Sequence, residues 1–196
     1  MSNELNALIA ADPLDLAAVS AHIDGLEPTA RVAAIRTIGG KGQRRLWDAA
    51  EGQGATLNDL VPEGTAATVE VINFGKNSLP VFTHFEKRMC RVAGEPDKIY
   101  GYNEGTTRPF VGPGYFVAHA FPERGEVGID YRLVPPDEAP LPEGWPAIKP
   151  NEKGVQMFVY AGMVDYMRRV SGTVTIGRAF KDGQKDLGHT FLLCRH

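Results

Sequence analysis

The sequence has few cysteines and no long apolar segment. Its 196 residues include two cysteines, Cys90 and Cys194, which lie far apart and outside any C-x-x-C motif. This excludes a disulfide framework, a redox dithiol and a cysteine-based zinc knuckle. The longest nearly apolar run, Met157 to Val164, is shorter than the ~20 residues of a membrane-spanning helix. The N-terminus lacks the basic and apolar regions of a signal peptide, so we expect a cytoplasmic protein with no membrane contact.

A strong net charge and metal-ligand spacings are also missing. The net charge is -3, whereas nucleic-acid-binding domains are usually basic, so we expect no nucleic-acid partner. The five histidines stand singly and form no H-x-H or H-E-x-x-H motif. P-loop and G-x-S-x-G motifs do not occur either. The sequence therefore predicts no metal site and no cofactor.

Residues 1–52 are predicted to form a helical segment. Asp12-Pro13 and Glu27-Pro28 are helix-start signals, because an acidic residue can cap the first turn and proline fits there without a donor. A further short helix is predicted from Gln43 to Ala50. Helices this short gain their stability from packing, so we expect them to pack on the rest of the chain. The alternative is a protein-interaction module or a homodimer interface.

From about residue 65 onward, β-branched and aromatic residues alternate with polar ones, which is typical of half-buried antiparallel strands. The connections are too short for βαβ crossovers, so residues 65–196 are predicted to form an antiparallel β-barrel of about eight strands. The fold class is therefore α+β. The predicted strands are Ala67–Asn73, Val81–Val92, Lys98–Tyr102, Tyr115–Phe121, Gly125–Leu133, Val155–Tyr160, Thr173–Phe180 and His189–Arg195.

Two segments interrupt this alternation. The segment at 134–154 is long and rich in proline, and ordered loops of that length are uncommon unless they cover something. We expect it to form a strap over the barrel. Met163 to Val170 has helical periodicity, so a short helix is predicted there.

The strand Val81–Val92 can place either of its two faces inward. One choice puts His84, Glu86 and Arg88 in the interior, where they would form the polar wall of a pocket. The other puts Phe85 and Met89 inside and leaves the polar set in solvent. Burial preferences favour the second choice.

The strand Tyr115–Phe121 carries an aromatic face with one imidazole, formed by Tyr115, Val117, His119 and Phe121. His119 can act as a base or as a metal or haem ligand, or it can be a core histidine with one hydrogen-bond partner. Cross-strand pairing can bring Asp130 to His119 and raise the basicity of the imidazole. The alternative is a surface ion pair between Asp130 and Arg132.

The segment Phe158–Phe180, followed by HTFLLCRH, resembles the C-terminal part of lipocalin-like proteins that pair a GXWXG domain with a β-barrel domain. The shared features are a strand, then Asp165 with Arg168 and Arg169, then a strand from Thr173 to Gly177. No G-x-W-x-G motif occurs in this sequence. The resemblance implies a calycin-like barrel with an apolar ligand cavity, and it supplies no catalytic residues.

The leading hypothesis is a protein that binds a small apolar or amphiphilic ligand inside the barrel. The ligand-binding candidates are His84, Val117, His119, Phe121, Phe158, Tyr160 and Arg178. The alternative is a cofactor-free isomerase, cyclase or decarboxylase that acts on a small carbonyl or phenolic substrate. In that enzyme His119 or Glu86 would be the base, and Arg88 or Tyr115 would stabilise an oxyanion. Haem or metal binding through His84 or His119 is a further alternative.

Overall fold

The described residues, 2–80 and 83–196 of a computed structural model, begin with a series of short helices. They are α1 (Ser2–Ala10), α2 (Leu16–Asp24), α3 (Pro28–Arg36), α4 (Gly40–Ala49) and the single turn α5 (Leu57–Leu60). Pro28 begins α3 as predicted. The start predicted at Asp12-Pro13 is displaced, because Asp15 caps α2 by accepting hydrogen bonds from the amides of Ala17 and Ala18. No described helix is long and apolar enough to cross a bilayer.

Eight strands follow and close into a barrel. They are β1 (Val71–Asn77), β2 (His84–Val92), β3 (Glu95–Glu104), β4 (Phe116–Phe121), β5 (Glu126–Asp130), β6 (Met163–Arg169), β7 (Val174–Lys181) and β8 (Lys185–Arg195). Each strand pairs antiparallel with the next, and β8 pairs with β1. Closure leaves no free sheet edge among the described strands for pairing with another chain. The predicted α+β class with an antiparallel barrel is confirmed. Val81 and Phe82, which were included in the second predicted strand, lie outside the described residues.

The helix predicted from Met163 to Val170 is wrong, since this segment is strand β6. Val164 and Tyr166 on its outer side are buried in the apolar cluster that the strands share with the helices. Asp165 and Met167 on its inner side are buried in the barrel. A strand buried on both faces shows no simple alternation of apolar and polar residues, which explains the misleading pattern.

The strand predicted from Val155 to Tyr160 is also wrong. This segment contains the helical turn α7 (Met157–Tyr160) in the long connection between β5 and β6. A second turn, α6 (Arg108–Val111), lies in the connection between β3 and β4. Both turns stand at the same end of the barrel and border its opening. Because they lie beyond the last strand pairs, their backbones satisfy hydrogen bonds locally.

The N-terminal helices pack on the outer side of β6, β7, β8 and β1. Their apolar residues form one buried layer with outward-facing residues of those strands, as short helices require. Arg168 reinforces this contact, because its guanidinium lies 3.9 Å from the ring centroid of Trp47 and donates to the Trp47 carbonyl at 2.9 Å. The helices therefore cover one side of the barrel.

The proline-rich segment at 134–154 covers the opposite outer side. The ring of Trp145 packs against Tyr102 and Tyr115, with ring centroids 5.0 and 6.3 Å away, and its Nε1 donates to Glu70 at 2.6 Å. The amide of Asn151 donates to the carbonyls of Tyr115 and Tyr131, both at 2.7 Å. These contacts fix the segment as a strap over β2, β3 and β4.

Residues 54–61 close one end of the barrel. The amide of Ala55 donates to the carbonyl of Met167 at 3.0 Å, and the amide of Val127 donates to the carbonyl of Ala55 at 3.1 Å. Leu60 and Val61 are fully buried in the same apolar cluster as the lumen residues. The lumen is accessible at the other end, where α6 and α7 lie.

Candidate functional site

Strand β2 shows which face of the barrel wall is inside. Phe85, Lys87 and Met89 point into the lumen. Glu86 and Arg88 lie on the outside, where the guanidinium of Arg88 pairs with the Glu86 carboxylate at 2.9 Å. The inward face is therefore the one with Phe85 and Met89, but it also carries a lysine.

The open half of the lumen is a cavity of about 700 Å³. Its wall is mostly apolar and includes Phe85, Tyr160, Met163, Ala179 and Phe191. Polar side chains meet within this wall, from β2, β3, β6 and the end of β5. They are Lys87, Asn103, Tyr131 and Asp165, and we call them the lumen cluster.

Lys87 is at the centre of the lumen cluster. Its Nζ donates to the Asn103 Oδ1 at 2.9 Å and to the Tyr131 hydroxyl, and it lies 3.6 Å from the Asp165 Oδ2. Tyr131 also donates to the Asn103 Oδ1 at 3.2 Å. The side chains of Lys87 and Asp165 are each 3% exposed. A lysine and a carboxylate this deeply buried are rare unless they are paired.

Burial moves the ionisable members of the cluster toward their neutral forms. It lowers the pKa of Lys87 to about 8, although Asp165 opposes the shift. It raises the pKa of Asp165, although Lys87 opposes that shift. Burial also raises the pKa of Tyr131 well above its ordinary value and that of Tyr160 to about 12. Both tyrosines therefore remain hydrogen-bond donors at neutral pH, while Lys87 can release its proton.

One acceptor in the cluster is unused. The Asp165 Oδ1 is buried and has no hydrogen-bond partner among the described residues. Leaving a buried polar atom unpaired is costly, and such an atom in a native structure needs an explanation. Because Asp165 lines the cavity, a ligand with a hydroxyl or an N–H group would satisfy this oxygen.

Aromatic rings surround the Lys87 amine. Its Nζ lies between 5.0 and 5.5 Å from the ring centroids of Phe85, Phe116, Tyr131 and Phe191. At this range a cation is attracted to the ring faces. The rings thus offset part of the cost of burying a charge and keep the amine in apolar surroundings.

Glycines make room for these rings. Each of the three phenylalanines sits directly across the strand pair from a glycine, and a Cβ on that glycine would lie 2.2 to 2.5 Å from the ring. The pairs are Gly75 with Phe85, Gly101 with Phe116 and Gly177 with Phe191. Covering a strand glycine with an aromatic ring from its neighbour pins the strand register. Here it also holds the rings against the wall and leaves the middle of the lumen open.

Three of the residues predicted to bind a ligand border the cavity: His84, Phe158 and Tyr160. Tyr160 stacks on Tyr131 with ring centroids 5.2 Å apart. Phe158 is 84% exposed at the rim. These residues form the entrance, and the lumen cluster lies beyond them.

The other predicted residues lie outside the lumen. The register of β4 turns Phe116 and Ala118 inward, so the expectation that the opposite face of this strand lines the lumen is wrong. Tyr115 and Val117 lie under the strap, and Phe121 packs against His119 and Tyr166 on the outer side of the barrel. Arg178 is on the outer side of β7 and pairs with Asp186 at 2.7 Å.

His119 and Asp130 meet on this outer surface, with Nε2 and Oδ2 3.5 Å apart. The contact with Asp130 raises the pKa of His119. Although burial opposes the shift, hydrogen bonds from Arg132 and His119 lower the pKa of Asp130 to about 2. Both the cross-strand pair and the ion pair with Arg132 are therefore present. Neither they nor Glu86 and Arg88 reach the cavity.

Sequence reasoning missed Lys87 and Tyr131. A usable signal was present, because Lys87 stands between Phe85 and Met89 on the face favoured for burial. A single cation in an otherwise apolar inward row indicates a partner deeper in the fold. That partner, Asp165, is on a strand that the sequence pattern did not identify.

The described residues contain no group of three or more histidine, cysteine or acidic side chains that could hold a metal ion. Comparisons of the chain with protein-family models, with curated proteins and with solved structures found no match.

Proposed function

We propose that the barrel binds a small, mostly apolar ligand that carries a polar oxygen group, and that the lumen cluster holds this group. The cavity of about 700 Å³ falls within the range of roughly 300–1,000 Å³ that is usual for small-molecule sites. Apolar walls with a few convergent polar groups are the common composition of such sites. An eight-stranded meander barrel is also compatible with the calycin-like resemblance of the C-terminal segment.

The observation that carries this proposal is the buried pair of Lys87 and Asp165 inside a cavity. Burying two charges is expensive, and well-packed apolar residues often replace such a pair without loss of stability. A binding role explains why the lumen contains polar groups. The Lys87 amine would donate to a carbonyl, hydroxyl or carboxylate oxygen of the ligand. The Asp165 Oδ1 would accept a hydrogen bond from a ligand hydroxyl.

The alternative functions have less support. The apolar residues of the N-terminal helices are buried against the barrel and so are not available to a partner. The bases considered for a cofactor-free enzyme, His119 and Glu86, do not line the cavity. A cytoplasmic location is part of our proposal, and the two free, buried cysteines support it.

The test uses 1-anilinonaphthalene-8-sulfonate, an aromatic anion whose fluorescence rises in apolar sites. We expect saturable binding that cinnamyl alcohol displaces. Lys87→Met should weaken the binding of the dye by roughly tenfold or more, because a hydrogen bond to a charged group contributes about 1.5–3 kcal/mol. Lys41→Met, which removes an exposed lysine of α4, is the matched control and should bind like the wild type.

A second variant separates the lumen from the outer surface. Ala179 is small, buried and borders the cavity, so Ala179→Trp would fill it. Far-ultraviolet circular dichroism and a thermal melt establish whether this variant is folded. Unchanged dye binding by folded Ala179→Trp would place the dye on the exposed apolar rim and would overturn the proposal.

A further inference from the structure

Lys87 places a primary amine inside a cavity, with acid and base groups around it. The Nζ faces the Tyr131 hydroxyl and the Asn103 Oδ1, and the Asp165 carboxylate lies 3.6 Å away. From this arrangement we infer that Lys87 forms a reversible imine with an aldehyde or ketone ligand in the lumen. The inference rests on the proposed function and assigns the ligand a reactive carbonyl group.

The reaction needs no oxidant, reductant or cofactor. The lone pair of the neutral amine forms a bond to the carbonyl carbon, and the carbonyl π electrons move to the oxygen, which takes up the first of the two amine protons. The resulting carbinolamine loses a proton from nitrogen and a hydroxide from carbon, which together leave as water. One amine and one carbonyl group thus give one imine and one water molecule.

The surroundings of Lys87 favour the form that reacts, because only the neutral amine is nucleophilic. Desolvation in a hydrophobic pocket is a known way to activate a lysine for imine formation. Burial lowers the pKa of Lys87 to about 8. Roughly a tenth of this amine is therefore neutral at pH 7, compared with roughly one in three thousand for an ordinary lysine.

The neighbours of Lys87 are suited to move the protons. Asp165 would accept the proton that leaves nitrogen and return it to the departing hydroxyl group. Tyr131, whose pKa burial keeps well above its ordinary value, stays protonated and would donate to the oxygen on which negative charge develops. Asp165 and Tyr131 are therefore the acid and base groups of the proposed step.

The lumen is also suited to keep the product. A protonated imine is a cation, and it would form where the phenylalanine rings lie between 5.0 and 5.5 Å from Nζ. Those ring faces attract a cation, and Asp165 would serve as its counter-ion. The strap, the helices and residues 54–61 cover the barrel on its other sides, which limits the access of water for hydrolysis.

The experiment incubates the protein with cinnamaldehyde and sodium cyanoborohydride at neutral pH. The hydride reduces any imine to a stable secondary amine, which intact-mass and peptide-mapping spectrometry locate. We expect a single fast modification at Lys87 in the wild type and in Lys41→Met. Lys87→Met should lose it. Asp165→Asn should form it at least about a hundredfold more slowly, because a general acid or base usually contributes about 10²–10⁴-fold.

Cinnamyl alcohol has the same carbon skeleton but cannot form an imine. Excess alcohol should protect Lys87 in the wild type, a result that does not depend on any variant folding. If the alcohol displaces the dye but the aldehyde modifies only exposed lysines, the imine inference is overturned and the binding function stands. If the alcohol neither displaces the dye nor protects Lys87, the binding function fails as well.

Discussion

Replacing Lys87 by methionine is expected to change how the stability of the protein depends on pH. Methionine is apolar and similar in length, so it can fill the same space without a charge. The folded protein holds the Lys87 proton more weakly than the unfolded chain does, because burial lowers the pKa from the ordinary 10.5 to about 8. The Lys87 contribution to stability should therefore vary with pH, and Lys87→Met should remove that variation.

The sign and the size follow from linkage. Below pH 8 both states carry the charged amine, and its burial destabilises the fold by the full amount. As the pH rises from 8 to 10.5, the unfolded chain keeps a proton that the folded protein has released, so the stability rises. With about 1.4 kcal/mol for each pKa unit, the free energy of unfolding should gain about 2–3 kcal/mol between pH 7 and pH 10.

The assay is urea unfolding followed by tryptophan fluorescence at several values of pH. The quantity of interest is the free energy of unfolding of the wild type minus that of Lys87→Met, because groups that do not contact Lys87 titrate alike in both proteins and cancel in this difference. The Lys41→Met variant measures the loss of an exposed lysine in the same way. A difference for Lys87→Met that is constant to within about 0.5 kcal/mol over this range would refute the buried, desolvated position of Lys87.

Three further predictions concern other parts of the barrel. Gly101→Ala should destabilise the protein by about 1–3 kcal/mol in urea unfolding, because its Cβ would lie 2.4 Å from the Phe116 ring. Trp145→Ala should cost about 2 kcal/mol and should speed proteolysis within the strap. Titration of His119 by NMR should give a pKa above 6.5, which Asp130→Asn should lower. The stability gained from His119 is then present below pH 6.5 and lost as pH rises through the raised pKa.

Each of these predictions has an outcome that would contradict it. If Gly101→Ala were as stable as the wild type, the Phe116 ring across the strand pair would have to move aside freely. Cleavage of the strap at the wild-type rate in Trp145→Ala would show that other contacts hold it. A His119 pKa that Asp130→Asn leaves unchanged would separate the imidazole from its carboxylate partner.

The barrel was predictable from the sequence because apolar and polar residues alternate along most strands. Clear turn residues also separate many of the strands. Strand β6 was not predictable, since Val164 and Tyr166 are buried on the outer side while Asp165 and Met167 are buried in the lumen. Its residues therefore show no two-residue period. The turn α7 was mistaken for a strand because its apolar residues border the cavity mouth without joining the sheet.

The candidate site was only partly predictable, for a related reason. The strap and the helices bury much of the outer wall, so an aromatic row on that side looks like a lumen row. Tyr115, Val117 and Phe121 form such a row. Burial preference alone cannot distinguish two buried faces. On β2, burial preference favours the face with Phe85 and Met89, and that face also places Lys87 in the lumen.

The pairing of β1 with β8, which closes the barrel, has a consequence for the synthesis of the protein. Residues 73–77 of β1 pair with residues 191–195 of β8, and α3 and α4 rest partly on β8. At roughly 5–20 residues per second, the ribosome completes β8 on the order of ten seconds after α4. The apolar sides of the helices have no complete surface to cover them during that interval. Nascent chains that stop short of β8 should therefore depend on chaperones and be removed by proteases.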